Sequence, residues 1–303
     1  MVYRTGPVGS QPVKPPGPST IDLHTHTNRS DGVLGPAALV AAVAAAGVTT
    51  LAITDHDTLA ALPMARVAAA TAGIELIPGL EINSVADDAD GFHEGELHLL
   101  GYGVDPENAG LRAALDVQRQ QRRRRFWLMV ERLSELDLSI DDAIAKLALD
   151  DDDALGRPTV ARALVSKGYA ESVDDAFGRL LSRGRPAYVP RQGLGPRGAI
   201  EAITGAGGLA ALAHFSDGPQ RPEIVRELMD LGLRGLEVYY RAFLSDTVEH
   251  LAALARTLRL VPTGGTDYHG DRETYAHAHA GLWVPPEVAP GLTRAIEEST
   301  VRP

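Results

Sequence analysis

The sequence predicts an α/β fold: a mainly parallel sheet of seven strands, with a helical subdomain inserted between the fourth and the fifth. Three observations carry this expectation. Short apolar runs alternate with helix-period segments, the alternation breaks once over a long stretch of different character, and polar residues gather where each apolar run ends. The 303 residues, 44% of them apolar, suffice to bury a core of that size.

In order along the chain, residues 1–18 form a lead rich in proline and glycine and are expected to be flexible. The first strand is read at 21–23, an alanine-rich helix at 37–46, a second strand at 51–53, a helix at 59–72 and a third strand at 74–78. Strand–helix alternation of this kind implies parallel pairing, because parallel neighbours need a crossover connection. A fourth run at 97–101 interrupts the pattern, which resumes with strands at 208–213, 233–238 and 260–262 and helices between them. The segment 112–197 differs: it has long helical patterns, the run Arg122, Arg123, Arg124 and Arg125, and an acidic run at 150–153 that reads as a loop. It holds 16 Lys and Arg against 13 Asp and Glu, a net of +3, so a chain total of −11 leaves −14 for the rest. We therefore read 19–111 and 198–303 as one sheet-bearing domain and 112–197 as the insert.

Composition removes several classes of function. No stretch reaches the roughly 18 consecutive apolar residues of a membrane span, so a membrane is not an expected partner. Residues 1–20 lack an apolar core behind a basic start and do not read as a secretory signal. The absence of cysteine removes disulfides, thiolate metal sites and cysteine nucleophiles together, and a cytoplasmic address is expected. Strong negative charge outside the insert argues against duplex DNA as a partner.

The polar residues at the strand ends carry the chemistry. His24 and His26 follow the first strand, Asp55, His56 and Asp57 the second, and Glu81 the third; His98 lies on the fourth. His214, Glu237, Asp267 and His269 continue the pattern in the second half, Glu237 being a weaker candidate than the others. In a closed parallel barrel such ends converge on one mouth. Imidazole with carboxylate suits Mn, Fe or Zn, whereas an all-oxygen set would suggest Mg or Ca. In His24-Thr25-His26 the strand period of two projects both imidazoles to one face.

The segments Asp22-Leu23-His24-Thr25-His26 with Ser30-Asp31-Gly32, Thr54-Asp55-His56-Asp57, Gly79-Leu80-Glu81-Ile82, His98-Leu99-Leu100-Gly101, Ala213-His214 and Gly265-Thr266-Asp267-Tyr268-His269 resemble the polymerase and histidinol phosphatase (PHP) superfamily. Their order is most similar to the branch that contains nucleoside 3′,5′-bisphosphate phosphatases and 5′–3′ exoribonucleases. The resemblance implies a distorted seven-stranded (β/α)7 barrel and a trinuclear centre with nine ligands. By motif, His24, His26, Glu81 and Asp267 hold one metal, Glu81 bridges to a second at His98 and His214, and Asp31, His56 and His269 hold the third. Divalent ions are implied, with Mn2+ favoured and Zn2+ or Fe2+ as alternatives. Such a site suits hydrolysis of a phosphate ester by a metal-bridging hydroxide, because clustered cations acidify water and neutralise phosphoryl charge. The expected substrate is a nucleotide 3′,5′-bisphosphate or short single-stranded RNA. The alternatives are a small-metabolite phosphatase, such as one for histidinol phosphate, and a non-catalytic metal-stabilised binding module.

The insert is expected to supply substrate recognition, with Arg122, Arg125 and Arg157 as phosphate-binding candidates, because the planar guanidinium matches phosphate bidentately. Arg157 stands in Gly156-Arg157-Pro158-Thr159, which resembles the family's Gly-Arg-Pro-His segment with threonine in place of histidine; Phe215 replaces the proline that commonly follows the ligand histidine. Asp22, Asp55 and Asp57 read either as partners that orient imidazoles or as turn residues. His93, His250, His277 and His279 have no strand-end placement and are read as structural. Gly264-Gly265 suits either a phosphate nest or a close backbone approach, and Tyr239 and Tyr240 are expected to pack.

Overall fold

The computed structural model describes residues 18–86, 95–147 and 155–300. The lead to residue 17, His93 and the acidic run at 150–153 lie outside the described residues. Seven strands, β1 (Ile21–Asp22), β2 (Thr50–Ile53), β3 (Glu75–Ala86), β4 (Gly95–Tyr102), β5 (Leu209–Leu212), β6 (Gly235–Tyr240) and β7 (Val261–Gly265), follow one another across one sheet in sequence order. The last segment meets the first. The Leu23 amide donates to the Gly264 carbonyl at 3.1 Å, and the Asp267 amide to the His24 carbonyl at 2.7 Å, so the sheet is a nearly closed barrel. This seam explains Gly264-Gly265 by close approach: a Cβ on Gly265 would stand 2.4 Å from the His24 amide nitrogen.

β1, β2 and β3 pair in parallel, as do β5, β6 and β7. The interruption read at 97–101 is a reversed strand, since β4 is antiparallel to both neighbours. β3 is much longer than 74–78, because its residues from Gly79 to Ala86 form a hairpin ladder with β4. Hydrophobicity hid this extension: Glu81, Asn83 and Ser84 are polar yet buried, the first two against the site rather than an apolar core.

The helices cover the barrel. α1 (Pro36–Ala45) starts with proline in its first turn and α2 (Leu62–Ala72) stops at Gly73, whose φ of +69° suits a residue without Cβ. Leu39, Val43, Ala65 and Ala69 from this pair pack on Leu51 and Ile53 of β2. α3 (Ala109–Glu135), α4 (Asp141–Ile144), α5 (Arg157–Ser166) and α6 (Val173–Ala176), the last continued by a π-helical turn at Phe177–Leu181, surround a separate core of Phe126, Met129, Leu133, Ile140, Val160, Leu164 and Leu181. α3 serves both cores without a break: Leu111 and Leu115 join the barrel side, Phe126 and Met129 the insert side. α7 (Pro196–Gly205), α8 (Pro222–Asp230) and α9 (Ser245–Leu258) cover β5 and β6, α10 (Tyr275–Ala280) packs beside α1, and α11 (Val288–Thr300) closes over β5 and β7. Among the described residues no helix is long and apolar enough to cross a membrane.

Candidate metal centre

The chain leaving β1 carries His24 and His26 toward a carboxylate that lies in the middle of β3. The Nε2 atoms of His24 and His26 stand 3.3 and 3.2 Å from Glu81 Oε2, and 3.4 and 3.2 Å from Asp267 Oδ1. These four residues form one cluster of converging donors. His26, Asp31, His56 and His269 form a second, in which the Nε2 atoms of His56 and His269 approach the Asp31 carboxylate to 3.5 and 3.2 Å. His56, Glu81 and His98 form the third, with His56 Nδ1 and His98 Nδ1 at 3.0 and 2.7 Å from Glu81. His214 Nε2 is 3.4 Å from the same Glu81 oxygen as His98. All nine residues thus meet in one mouth with Glu81 at its centre, and His26 and His56 each stand in two of the three clusters. The reversal of β4 brings His98 there from mid-strand, and Glu81 likewise serves from within β3.

His24, His26 and Glu81 are fully buried, and His98, His269 and Asp267 stand nearer the open side. Left-handed backbone at Asp57, His214 and Asp267, with φ of +53°, +31° and +51°, turns the loops at the strand ends. Burial alone would raise the carboxyls, but neighbouring imidazoles outweigh it: His56 and His269 hold Asp31, and His56, His98 and His24 hold Glu81, well below the ordinary range. Burial would lower His98 and His269, yet Glu81 raises the first to about 9 and Asp31 with Asp267 the second to about 10. Burial prevails at His56, pushed down to about 4 despite Asp31 and Glu81.

This donor set fits divalent cations. Both ring nitrogens of His26 and Nδ1 of His56 are buried without a hydrogen-bond partner, an arrangement that native interiors avoid unless the group has another role. Imidazole donors without sulfur suit Zn2+ and Fe2+, and the three carboxylates among them suit the harder Mn2+ as well.

Behind the donors, Glu237 is fully buried and accepts from His24 Nδ1 at 2.9 Å and from the His214 amide at 2.7 Å. It therefore fixes the His24 tautomer, leaving Nε2 to face Glu81 and Asp267. None of Asp22, Asp55 and Asp57 accepts a hydrogen bond from an imidazole among the described residues: the first two hold loops, and the third ties α3 to β3. Asp22 accepts from the Thr266 amide, the Thr266 hydroxyl and the Tyr275 hydroxyl; Asp55 binds Thr27 and Ser30; Asp57 binds Asn83, Gln118 and Arg122. Tyr240 does more than pack, since its hydroxyl donates to Asp267 Oδ2 at 3.2 Å. His250 and His277 are exposed away from the mouth, and His279 is buried with Nε2 2.8 Å from the Ser19 carbonyl.

The insert meets the barrel through buried polar side chains. Arg122, expected to bind phosphate, is instead a strut: its donors meet Asp57 Oδ2, Asn83 Oδ1 and the Leu155 carbonyl, and the side chain is almost wholly buried. One face of a long helix cannot be assigned to solvent, substrate or a neighbouring domain from its arginines alone. Gln118 adds a second tether, donating to Asp57 and the Asn83 carbonyl. Arg162 donates to the Asp31 carbonyl and to Asp271, tying α5 to the mouth. Arg125 and Arg157 lie at the wall beside Glu96, with Nη1 and Nη2 at 3.3 and 3.7 Å from it, and Arg191 joins them at 3.1 Å. Thr159 is buried within α5, and Phe215 packs against the barrel-side core next to His214. Glu96, Arg162 and Arg191 stand just outside the quoted motifs and were not singled out from the sequence, although Arg191 directly follows Ala187-Tyr188-Val189-Pro190, a segment that resembles a family loop; Glu237 did share the strand-end placement of the ligand candidates.

The PHP domain family matches residues 22–151. The chain is 35% identical over 262 residues to the 5′-3′ exoribonuclease Rnm of Salmonella typhimurium, covering 82% of this chain and 84% of that protein. It is 30% identical over 293 residues to the 3′,5′-nucleoside bisphosphate phosphatase of Chromobacterium violaceum, covering 94% and 99%. Among solved structures, a Bifidobacterium adolescentis protein provisionally described as a metal-dependent phosphoesterase superposes with a TM-score of 0.80 at 31% identity, over 95% of this chain and 98% of that one.

Proposed function

Because the chain belongs to the PHP domain family of phosphoesterases, we propose that it is a hydrolase that cleaves a nucleotide phosphate ester, either the 3′-phosphate of a nucleoside 3′,5′-bisphosphate or the 5′ end of short RNA. The observation that carries this reading is the mouth itself: six imidazoles and three carboxylates converge there, next to an arginine-rich wall contributed by the insert. His24, His26, Glu81 and Asp267 would hold one divalent ion, Glu81, His98 and His214 a second, and Asp31, His56 and His269 a third. Mn2+ is favoured and Zn2+ or Fe2+ are alternatives. When bound, such ions supply Lewis acidity and an acidified water for in-line attack on phosphorus.

The chain's own residues do the rest. Glu237 keeps His24 in one tautomer, and the Asp22 and Asp55 networks hold the two loops that present His24, His26, Asp31 and Asp267. Arg125 and Arg157 would orient the anionic substrate from 112–197, the segment we assign to recognition. A buried serine or cysteine nucleophile is not needed.

The test is phosphate release by protein reconstituted with Mn2+, Zn2+ or Fe2+, offered adenosine 3′,5′-bisphosphate, a short 5′-phosphorylated RNA and histidinol phosphate. Asp267-dependent release from the bisphosphate, or of mononucleotides from the RNA, is expected, with loss in Asp267→Ala. Preference for histidinol phosphate would overturn the nucleotide assignment, and inactivity with every metal would overturn hydrolysis.

A further inference from the structure

Asp31 and His269 stand on loops, outside any named strand, although their side chains meet with His269 Nε2 3.2 Å from Asp31 Oδ1. Loops carry no ladder of backbone hydrogen bonds, so the separation of two donors placed on them depends on the contacts around them. Within the barrel the Val33 amide donates to the His269 carbonyl at 2.8 Å. Arg241, just beyond β6, holds the stretch after β7 at two points, donating to the Thr266 carbonyl at 2.6 Å and pairing with Glu273. The turn that contains His269 and Asp271 lies between those points.

A single nitrogen of the insert spans this turn and the Asp31 loop. Arg162 Nη1 donates to the Asp31 carbonyl at 3.0 Å and to both oxygens of Asp271 at 2.8 and 2.9 Å. The Asp271 side chain is only 12% exposed. Deprived of this cation, a carboxylate so nearly buried gains by turning toward water, and His269 lies two residues away on the same turn. The start of α5 also runs against the Asp31 carboxylate, since a Cβ on Gly156 would stand 3.5 Å from Asp31 Oδ2. A second contact joins the insert to the same turn, from Arg272 to Asp174, but both of its side chains are well exposed and it does not reach the Asp31 loop.

We infer that Arg162 is a positioning residue for metal binding at Asp31, His56 and His269: by joining the Asp31 carbonyl to Asp271 it sets the separation of Asp31 and His269, so that docking of the insert completes this part of the centre. This rests on the reading that those three residues hold an ion. Arg162 touches no donor atom and acts through the backbone of one ligand and the turn of the other. Removing a partner of this kind typically lowers metal affinity about 10–100-fold. The loss falls on one ion, because Arg162 contacts neither the His24 segment nor β4.

The test is equilibrium dialysis of the full chain against a series of free Mn2+ concentrations, reading bound metal per chain, with urea unfolding of the metal-free proteins alongside. Asp31→Ala marks the equivalent in question by removing it. Arg162→Gln is expected to weaken that same equivalent about 10–100-fold and leave the others as in wild type, and to add nothing in an Asp31→Ala background. Arg162→Lys, which puts an ammonium near the position of the one nitrogen that makes these contacts, should restore part of the loss. Arg272→Gln, which opens the exposed contact of the insert with the same turn, should bind metal as wild type does. Unchanged binding in Arg162→Gln, where Asp31→Ala does lose an equivalent, would overturn the positioning role and leave the metal assignment standing. Equal weakening of every equivalent, or the same loss in Arg272→Gln, would also overturn it, the effect then being general docking of the insert. An Asp31→Ala protein that keeps every equivalent would overturn the ion at Asp31, and the role of Arg162 with it. An Arg162-dependent equivalent in a protein that hydrolyses no nucleotide would support the role and overturn the proposed reaction instead.

Discussion

Glu237→Gln separates holding the ligands in place from ligation itself. The carboxylate is fully buried and accepts two hydrogen bonds, from His24 Nδ1 at 2.9 Å and from the His214 amide at 2.7 Å. Glutamine keeps the shape but offers one oxygen and one NH2, so one of the two donors must face another donor. Hydrogen bonds to a charged acceptor contribute about 1.5–3 kcal/mol each, and the group left unmatched costs about 1–3 kcal/mol. Loss of a residue that fixes a metal-binding imidazole typically lowers metal affinity about 10–100-fold, equivalent to about 1.4–2.8 kcal/mol. Calorimetric titration with Mn2+ should show a loss in that range, and the urea midpoint of the metal-free protein should correspond to a destabilisation of about 1–3 kcal/mol. Asp22→Asn is the comparison, because Asp22 binds Thr266, Tyr275 and the His24 amide and accepts nothing from an imidazole. Unchanged Mn2+ affinity in Glu237→Gln would refute the reasoning, and so would an equal loss in Asp22→Asn.

Three further outcomes are expected. Arg122→Ala strands Asp57 in the seam between insert and barrel, and breaking a buried pair costs about 3–5 kcal/mol; Arg191 lies 3.7 Å from the same carboxylate oxygen, so a urea midpoint at the lower end is expected, and a change below about 1 kcal/mol would show that the strut is dispensable. Metal affinity should rise with pH between 6.5 and 8.5, because Glu81 holds His98 at about 9 and Asp31 holds His269 at about 10, so both keep protons that an ion must displace; each displaced proton adds about tenfold per pH unit, and a flat series of Mn2+ titrations would contradict this. Gly265→Ala should destabilise the barrel seam by about 1–3 kcal/mol, because the added methyl would stand 2.4 Å from the His24 amide nitrogen; wild-type stability measured by urea unfolding would show that the seam yields.

The relatives bear on these expectations unevenly. An exoribonuclease and a bisphosphate phosphatase match this chain over most of its length, and both names describe attack on a phosphate ester of a nucleotide. Their difference lies in what remains attached to the cleaved phosphate. The arginine cluster around Glu96 stands beside the metal donors on the insert's side.

The apolar strand runs and the polar residues at their ends were legible in the sequence because each rests on short-range signals. Apolar runs of a few residues announce strands buried on both faces, as β2 and β5 are, and a titratable residue just beyond such a run has few structural reasons to be there. The length of β3 and the reversal of β4 were not legible, because Glu81 and Asn83 are buried by partners distant in the chain. The roles of the arginines were hidden for the same reason. Arg122 and Arg125 are three residues apart on one helix, yet the first is matched by Asp57 and the second retains an unpartnered N–H. Periodicity tells which residues share a helix face, whereas the charge that meets each of them comes from strands and loops tens of residues away, and only their packing assigns it.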